Sequence, residues 1–283
     1  MPSVIIPAYN EEAVIGRCLK ALTDGADPGE LEIIVVANAC KDDTVAVARR
    51  FAPAVQVIDT PVAGKANALN LGDEAATKFP RFYVDADVVL PLEALRALAA
   101  RLLDPAVLAI APLPRFDLSN SSWPVRAYYR IHQKLPASRE GIGGSGVYGL
   151  SKHGRSRFEK FPDVTADDGF VRLQFSPAER STVPECNSIV YAPWNVRELI
   201  AIKTRSHYGT VELQTRLPEL WQNIGERNGE SLRRLAMRSP GSWPELAVYA
   251  WVKVAARWRA KKRLSQAVAV WERDENSRRS NPG

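Results

Sequence analysis

The first hundred residues alternate short apolar runs with segments whose apolar positions recur every three or four residues. Residues 3–6, 32–36, 55–58 and 82–84 have the length and β-branched content of buried strands. Residues 11–22, 42–51, 65–77 and 91–103 have helical spacing. In the first of these Val14, Ile15, Cys18, Leu19 and Leu22 share one face, and Asn10 stands where an N-cap belongs. Strands alternating with helices of this length predict right-handed crossovers and a mostly parallel sheet. Ligands in such sheets bind at the carboxyl ends of the strands. The polar clusters 7–12, 37–43 and 85–87 all fall at such ends.

Beyond residue 108 the alternation loosens. Residues 109–112 read as a strand, 123–133 as an aromatic helix, and 141–151 as a glycine-dense loop leading into a strand. A helix is predicted over 167–174, a short strand over 188–190 and a helix over 203–217. The apolar segment 246–258 is followed by a basic run, and 273–283 has the composition of a disordered tail. The organisation expected is a main domain over 1–225, with halves of about 1–115 and 116–225. A basic helical segment over 226–272 and the tail follow.

Composition narrows the class. A chain of 283 residues with 46% hydrophobic and 25% charged content is that of a folded globular protein, not a mostly disordered one. Three cysteines without metal spacing exclude a disulfide framework and point to a reducing compartment. The N-terminus lacks a basic n-region, and no run of 18 apolar residues exists, so neither a signal peptide nor an unaided membrane span is expected. The net charge of +6 suggests nucleic-acid binding until it is divided along the chain. Residues 226–283 carry +7 and the preceding 225 carry −1. Basicity belongs to the C-terminal segment, and no nucleic-acid partner is expected.

Asp85-Ala86-Asp87 follows the fourth strand directly. Two carboxylates at this spacing can hold a hard divalent cation, or one can take the metal and the other a sugar hydroxyl. A turn that favours aspartate explains a lone pair equally well. The surrounding segments decide. SVIIPAYNEE at 3–12, VVANACKDDT at 35–44, GKANALNLG at 64–72 and YVDADVV at 83–89 occur in this order and spacing. Together they resemble the inverting family 2 glycosyltransferases of the GT-A fold, over roughly residues 1–215.

That resemblance implies an α/β GT-A fold with a Rossmann-like donor half, an acceptor-side half and a C-terminal helical appendage. It implies transfer of a sugar from a nucleotide-sugar, a UDP-sugar above others, to a hydroxyl of a glycan, a lipid-linked acceptor or another glycoconjugate. Mn²⁺ or Mg²⁺ is the implied cofactor. Pro7, Ala8, Tyr9 and Glu11 correspond to the family's nucleobase turn. Ala37 and Asn38 stand where the family usually has two aspartates, leaving Asn38 to offer an amide to the base. Lys65 is implied near the base or phosphates, Asp85 near the ribose or a sugar hydroxyl, Ala86 against the donor, and Asp87, with Asp85, on the metal–diphosphate. Asp167 and Asp168, 81 residues beyond Asp87, resemble the family's acceptor-side pair. Asp168 is implied as general base and Asp167 as its support. Paired carboxylates raise one another's pKa, which suits this task. Arg205 resembles a diphosphate-binding arginine, and His207 a late histidine completing the metal shell.

The chain lacks the QxxRW segment of processive members, so one or a few additions are expected. Two other readings explain the sequence less well. A catalytically silent nucleotide-sugar-binding module would not need Asp168, and a sugar-nucleotide pyrophosphorylase would open on a glycine-rich, arginine-containing loop that PAYNEE is not.

In the C-terminal segment Lys253, Arg257 and Lys261 recur every four residues along an otherwise apolar helix. Such a helix can lie in an anionic membrane interface, with Arg257, Arg259, Lys261, Lys262 and Arg263 reaching lipid phosphates. It can equally pack on the catalytic domain or on a second subunit. The expected location is cytoplasmic, with peripheral association at the inner face of the cell membrane under the first alternative.

Overall fold

The computed structural model describes residues 1–139, 141–224 and 229–266. Seven strands, β1 (Ser3–Ala8), β2 (Glu32–Asn38), β3 (Val55–Thr60), β4 (Arg81–Val84), β5 (Ala109–Asp117), β6 (Val147–Leu150) and β7 (Arg180–Tyr191), form one sheet. Their order is β3-β2-β1-β4-β6-β5-β7. The first four pair in parallel, β5 and β7 pair in parallel, and β6 runs against both β4 and β5. The mostly parallel sheet expected from the alternation is therefore present, with one reversed strand between its halves.

Helices α1 (Ile15–Thr23), α2 (Thr44–Arg49), α3 (Lys65–Ala75) and α4 (Leu92–Arg101) follow the first four strands. The continuous apolar runs of β1 and β2 are explained by burial on both faces. Val4 and Ile6 pack in one layer with Leu19 and Leu22 of α1 and Leu95 and Leu98 of α4. Ile5, Ile34 and Val36 face the other layer, with Leu69 of α3 and the distant Phe161, Phe170 and Phe175. Each fully buried Leu, Ile or Phe contributes roughly 1.5–3 kcal/mol.

The second half adds α5 (Trp123–His132), α6 (Pro136–Arg139), α7 (Lys152–Arg155), α8 (Asp167–Leu173), α9 (Val196–Arg216), α10 (Gly229–Arg238) and α11 (Trp243–Gln266). Three expectations change here. Helix α1 starts at Ile15, not at residue 11, because Asn10 takes a left-handed φ of 52° that an N-cap does not use. Strand β7 spans twelve residues, because ladder pairing to β5 sustains its polar stretch Arg180–Asn187 without an apolar pattern. Helix α9 starts seven residues before 203, where the Asn195 side chain accepts a 3.0 Å hydrogen bond from the Glu198 N–H. That Asn-x-x-Glu spacing was a readable start signal.

Helix α11 has two unlike faces. Tyr249, Val252, Ala256 and Ala260 are buried, and the first two join Tyr128 of α5 and Leu199 of α9 in a third hydrophobic cluster. Trp243, Trp251, Val254 and Trp258 face outward, with Trp258 66% exposed. The predicted basic stripe is split by this packing. Lys253 is half-buried, at the edge of the packed face, while Arg257 and Lys261 are exposed. No helix among the described residues is long and apolar enough to cross a membrane. The predicted boundary at 225/226, residues 267–272 and the tail 273–283 lie outside the described residues.

Candidate active site

The loops after β1 and β2 are laced together at the carboxyl edge of the sheet. The Asn10 side chain accepts from the Lys41 N–H at 2.7 Å, and the Glu11 N–H donates to Thr44 Oγ1 at 2.7 Å. The Glu11 carbonyl then accepts from the N–H groups of Val14 and Ile15, which sets the direction in which α1 departs. Asn38 is 4% exposed, and its amide is turned inward. Its Nδ2 donates to the Ala8 carbonyl at 2.7 Å, and its Oδ1 accepts from the Gly64 N–H at 3.1 Å. It ties the start of α3 to the end of β1, and Ala8 beside it is buried. Tyr9 is half-buried at the rim.

Beside these loops lies a cleft whose walls include Pro7, Lys65, Asp85, Gly146, Tyr148, Asp167 and Asp168. Lys65, the first residue of α3, extends its ammonium to its centre. Nζ lies 2.7 Å from Asp85 Oδ1 and 2.9 Å from Asp167 Oδ1. One cation thus joins the end of β4 to the start of α8. Burial by itself would lower the Lys65 pKa, but Asp167 and Asp85 outweigh it and hold the ammonium above its ordinary range. Desolvation pushes Asp85 up, Lys65 draws it down, and Asp167 and Asp87 push it up again, leaving it above the usual carboxylate value.

Asp167 and Asp168 are neighbours with different surroundings. Asp167 is 5% exposed, held by Lys65 and by the Tyr148 hydroxyl, which donates to Oδ2 at 3.5 Å. Asp168 is half-buried, and one of its oxygens accepts from the Gly169 N–H at 2.7 Å. Desolvation, then repulsion from Asp167, push its pKa up to about 6. Two glycines make this arrangement possible. Gly146 has φ of 64°, and a Cβ there would sit 2.5 Å from Val88 Cγ2 and 3.3 Å from Asp85 Oδ2. A Cβ on Gly209 would sit 2.8 Å from the Ala166 Cβ, so α9 can press against Thr165 and Ala166 only because that atom is missing.

Asp87 and Ala86 leave β4 on the α1 side. Ala86 is buried in the core layer and Asp87 is half-buried. The Arg17 guanidinium of α1 donates to the Asp87 carbonyl at 3.3 Å and lies 3.8 Å from the Tyr191 ring centroid. Arg17 was missed in the sequence, where it reads as a polar residue on the exposed side of a helix. Arg205 and His207 lie on α9 and do not line the cleft. Burial and the charges of Arg257 and Lys253 lower the His207 pKa, while Arg205 acts on Lys203.

Among the described residues no three His, Cys, Asp or Glu side chains converge as a complete metal cage. Asp85 and Asp87 nevertheless supply hard oxygen donors at one strand end. This suits a cation of the Mg²⁺ type, which one or two carboxylates hold together with substrate phosphates.

A family model described as Glycosyl transferase family 2 matches residues 3–158. Glycosyltransferase AglE of Haloferax volcanii is 36% identical over 90 residues, 30% of this chain and 30% of that protein. The chain spans well under two thirds of the curated relatives it matches. Among solved structures, mannosyltransferase PcManGT from Pyrobaculum calidifontis, in complex with GDP-Man and Mn²⁺, aligns with a TM-score of 0.62 at 23% identity. That alignment covers 96% of this chain and 76% of the other. Glucosyl-3-phosphoglycerate synthase from Mycobacterium tuberculosis, in complex with Mn²⁺, uridine diphosphate and glucosyl-3-phosphoglycerate, aligns with a TM-score of 0.56 at 22% identity, over 76% and 79% of the two chains. The sheet is thus that of a GT-A protein. With its family model covering more than half of its residues, this chain belongs to glycosyl transferase family 2.

Proposed function

We propose that the protein is an inverting glycosyltransferase that moves a sugar from a nucleoside diphosphate donor to an acceptor hydroxyl, with Asp168 as general base. The observation that carries this reading is Lys65 bridging Asp85 and Asp167. It sets the strand end expected to meet the donor beside the carboxylate pair expected to meet the acceptor. Asp167, fixed by Lys65, orients the segment, and Asp168 keeps an oxygen for the acceptor proton. A carboxylate with a pKa near 6 is mostly ionised at neutral pH yet basic enough to take that proton. The Arg17 guanidinium places positive charge beside Asp87, where a departing diphosphate gains negative charge.

Asp87, assisted by Asp85, would hold a divalent cation, as the solved relatives carrying Mn²⁺ suggest. The bound cation would act as a Lewis acid on the diphosphate. Arg205 and His207 are assigned no part in holding it, since neither lines the cleft. The inward-turned Asn38 shapes the base-binding floor more than it reads the base.

The proposed donor is a UDP-sugar. In a thermal-shift screen with Mn²⁺, UDP-sugars are expected to raise the melting temperature more than GDP- or dTDP-sugars, and to lose that effect in EDTA. A ligand at one hundred times its Kd stabilises by about 2.7 kcal/mol. A larger shift with a GDP-sugar would reassign the nucleotide.

Helix α11 is proposed to rest on an anionic membrane through its outer face. Three tryptophans beside Arg257, Arg259, Lys261 and Lys262 combine apolar insertion with charge attraction. Trp251→Ala/Trp258→Ala is expected to weaken co-sedimentation with anionic vesicles by about tenfold or more, from the apolar area lost. Nucleotide binding should be unaffected. Unchanged co-sedimentation would favour contact with a second protein chain at this face.

A further inference from the structure

Residues 156–166 join α7 to α8 without helix or strand. Their backbone groups must therefore find partners in other elements or in water. One face of α9 supplies several of them. Positions 209, 212, 213 and 216 follow the i, i+3, i+4, i+7 spacing of a single helical face. At Gly209 the missing Cβ admits Ala166, whose nitrogen would stand 3.2 Å from that atom. Leu213 packs under the first turn of α8, its Cδ1 3.0 Å from where a Gly169 Cβ would lie.

Between these two, Glu212 makes the polar contacts. Its Oε2 accepts from the Thr165 N–H at 2.8 Å. Its Oε1 is ion-paired at 3.2 Å with Arg216, one turn further along α9. The same Arg216 nitrogen donates to the Asp163 carbonyl at 2.6 Å. Both peptide groups that flank Val164 are thus held from α9. The Glu212 side chain is 17% exposed, which shields this circuit from water.

The hold bears on Asp168. The Asp168 side chain accepts its hydrogen bond from the N–H of the next residue, Gly169. The Ala166 carbonyl accepts from the Phe170 N–H at 2.9 Å, which closes the first turn of α8. The direction of the Asp168 carboxylate is therefore set by the backbone of 166–170, and that backbone is anchored where 163–166 meets α9. Asp167 differs, because Lys65 and Tyr148 hold its carboxylate through their side chains. Displacing a reacting group by about 1 Å can cost about 10²-fold in rate.

We infer that Glu212 is a positioning residue, which grips the Thr165 N–H from α9 and so aims Asp168 at the acceptor hydroxyl. The inference rests on the reading of Asp168 as general base. Glu212 does not line the cleft, so it acts through the 163–168 segment and not by contact with the donor.

The test compares full-length wild type, Glu212→Ala and Glu212→Gln. In Glu212→Ala, amide hydrogen exchange over 163–168 is expected to quicken at least tenfold, with exchange in β1 and β2 unchanged. Glu212→Gln keeps a side-chain oxygen for the Thr165 N–H and should exchange like wild type. Turnover is followed as nucleoside diphosphate release from the UDP-sugar that gives the largest thermal shift with Mn²⁺, with water as acceptor. Glu212→Ala should lower kcat by about tenfold to a hundredfold, the cost of a misplaced base, and leave donor Kd near that of wild type. Glu212→Gln should restore the rate. In an Asp168→Asn background Glu212→Ala should add no further loss, whereas general damage to the fold would lower donor affinity and slow both backgrounds. Unchanged exchange over 163–168, or equal kcat in Glu212→Ala and wild type, overturns the positioning role. Full turnover of Asp168→Asn strikes the base reading itself, and the aiming of Asp168 with it, whatever the exchange shows.

Discussion

Asp168→Asn is expected to lower sugar transfer by roughly 10²–10⁴-fold, the usual contribution of a general base, while donor affinity stays near that of wild type. A base acts on the acceptor proton in the transition state and adds little to ground-state donor binding. The amide keeps the shape of Asp168 and its acceptor oxygen for the Gly169 N–H. A helix-capping role alone predicts survival of activity, since asparagine caps as well as aspartate. Turnover and donor Kd measured on one preparation decide between them. Asp167→Asn is the companion variant. Asp167 is ion-paired to Lys65 at 2.9 Å, so its loss should disturb Lys65 and reduce donor affinity as well as rate. Near-normal turnover for Asp168→Asn with collapse for Asp167→Asn would move the base one residue earlier.

The raised pKa of Asp168 fixes the sign of two pH effects. The base must be ionised, so kcat/KM should fall as pH drops through about 6. Stability runs the other way. The folded state holds the Asp168 proton more tightly than the unfolded chain does, so this carboxyl disfavours folding once pH rises past its folded value. That penalty disappears as pH falls toward the ordinary carboxylate range. Asp168→Asn should therefore melt higher than wild type at pH 7, by an amount that shrinks at pH 4–5. An equal melting temperature at both values would mean that the carboxyl is not strained.

Asp87→Ala is expected to remove the divalent-cation dependence of nucleotide binding and nearly all turnover. A Lewis-acid contribution of several kcal/mol corresponds to about a thousandfold at 1.36 kcal/mol per tenfold. Asp87 is half-buried at the end of the β4 turn, and its backbone carbonyl accepts from Arg17 at 3.3 Å. Truncation therefore leaves that contact in place, and the fold should survive. The check is nucleotide affinity with Mn²⁺ and with EDTA for both proteins, beside turnover. Normal turnover of Asp87→Ala in excess EDTA would show that no cation takes part through this residue.

The sequence by itself determined the first half of the sheet. Strands β1 and β2 are short, rich in β-branched residues and buried on both faces, and helices α1 to α4 bury apolar positions against the sheet. These signals arise from neighbours within about ten residues, so the pattern is local and readable. The polar clusters at the strand ends, Asp85-Ala86-Asp87 included, were legible for the same reason, whereas Asp167-Asp168 was singled out only by the resemblance to the family. Tertiary structure alone decided how these pieces meet. Lys65 reaches across 102 positions to Asp167 because β6 lies beside β4 and Gly209 lets α9 press on the start of α8. No periodicity encodes such a contact. Asn38 looked like a base reader, and its amide is spent on Ala8 and Gly64, partners that exist only once β1, β2 and α3 are side by side. Lys253 looked like part of an outward stripe, and packing of Tyr249 and Val252 against α5 and α9 leaves it half-buried at the edge of the packed face. Sequence specifies which residues are polar and at what spacing. Which of two faces a polar residue occupies is set by the neighbour that buries the other face, and that neighbour is distant in the chain.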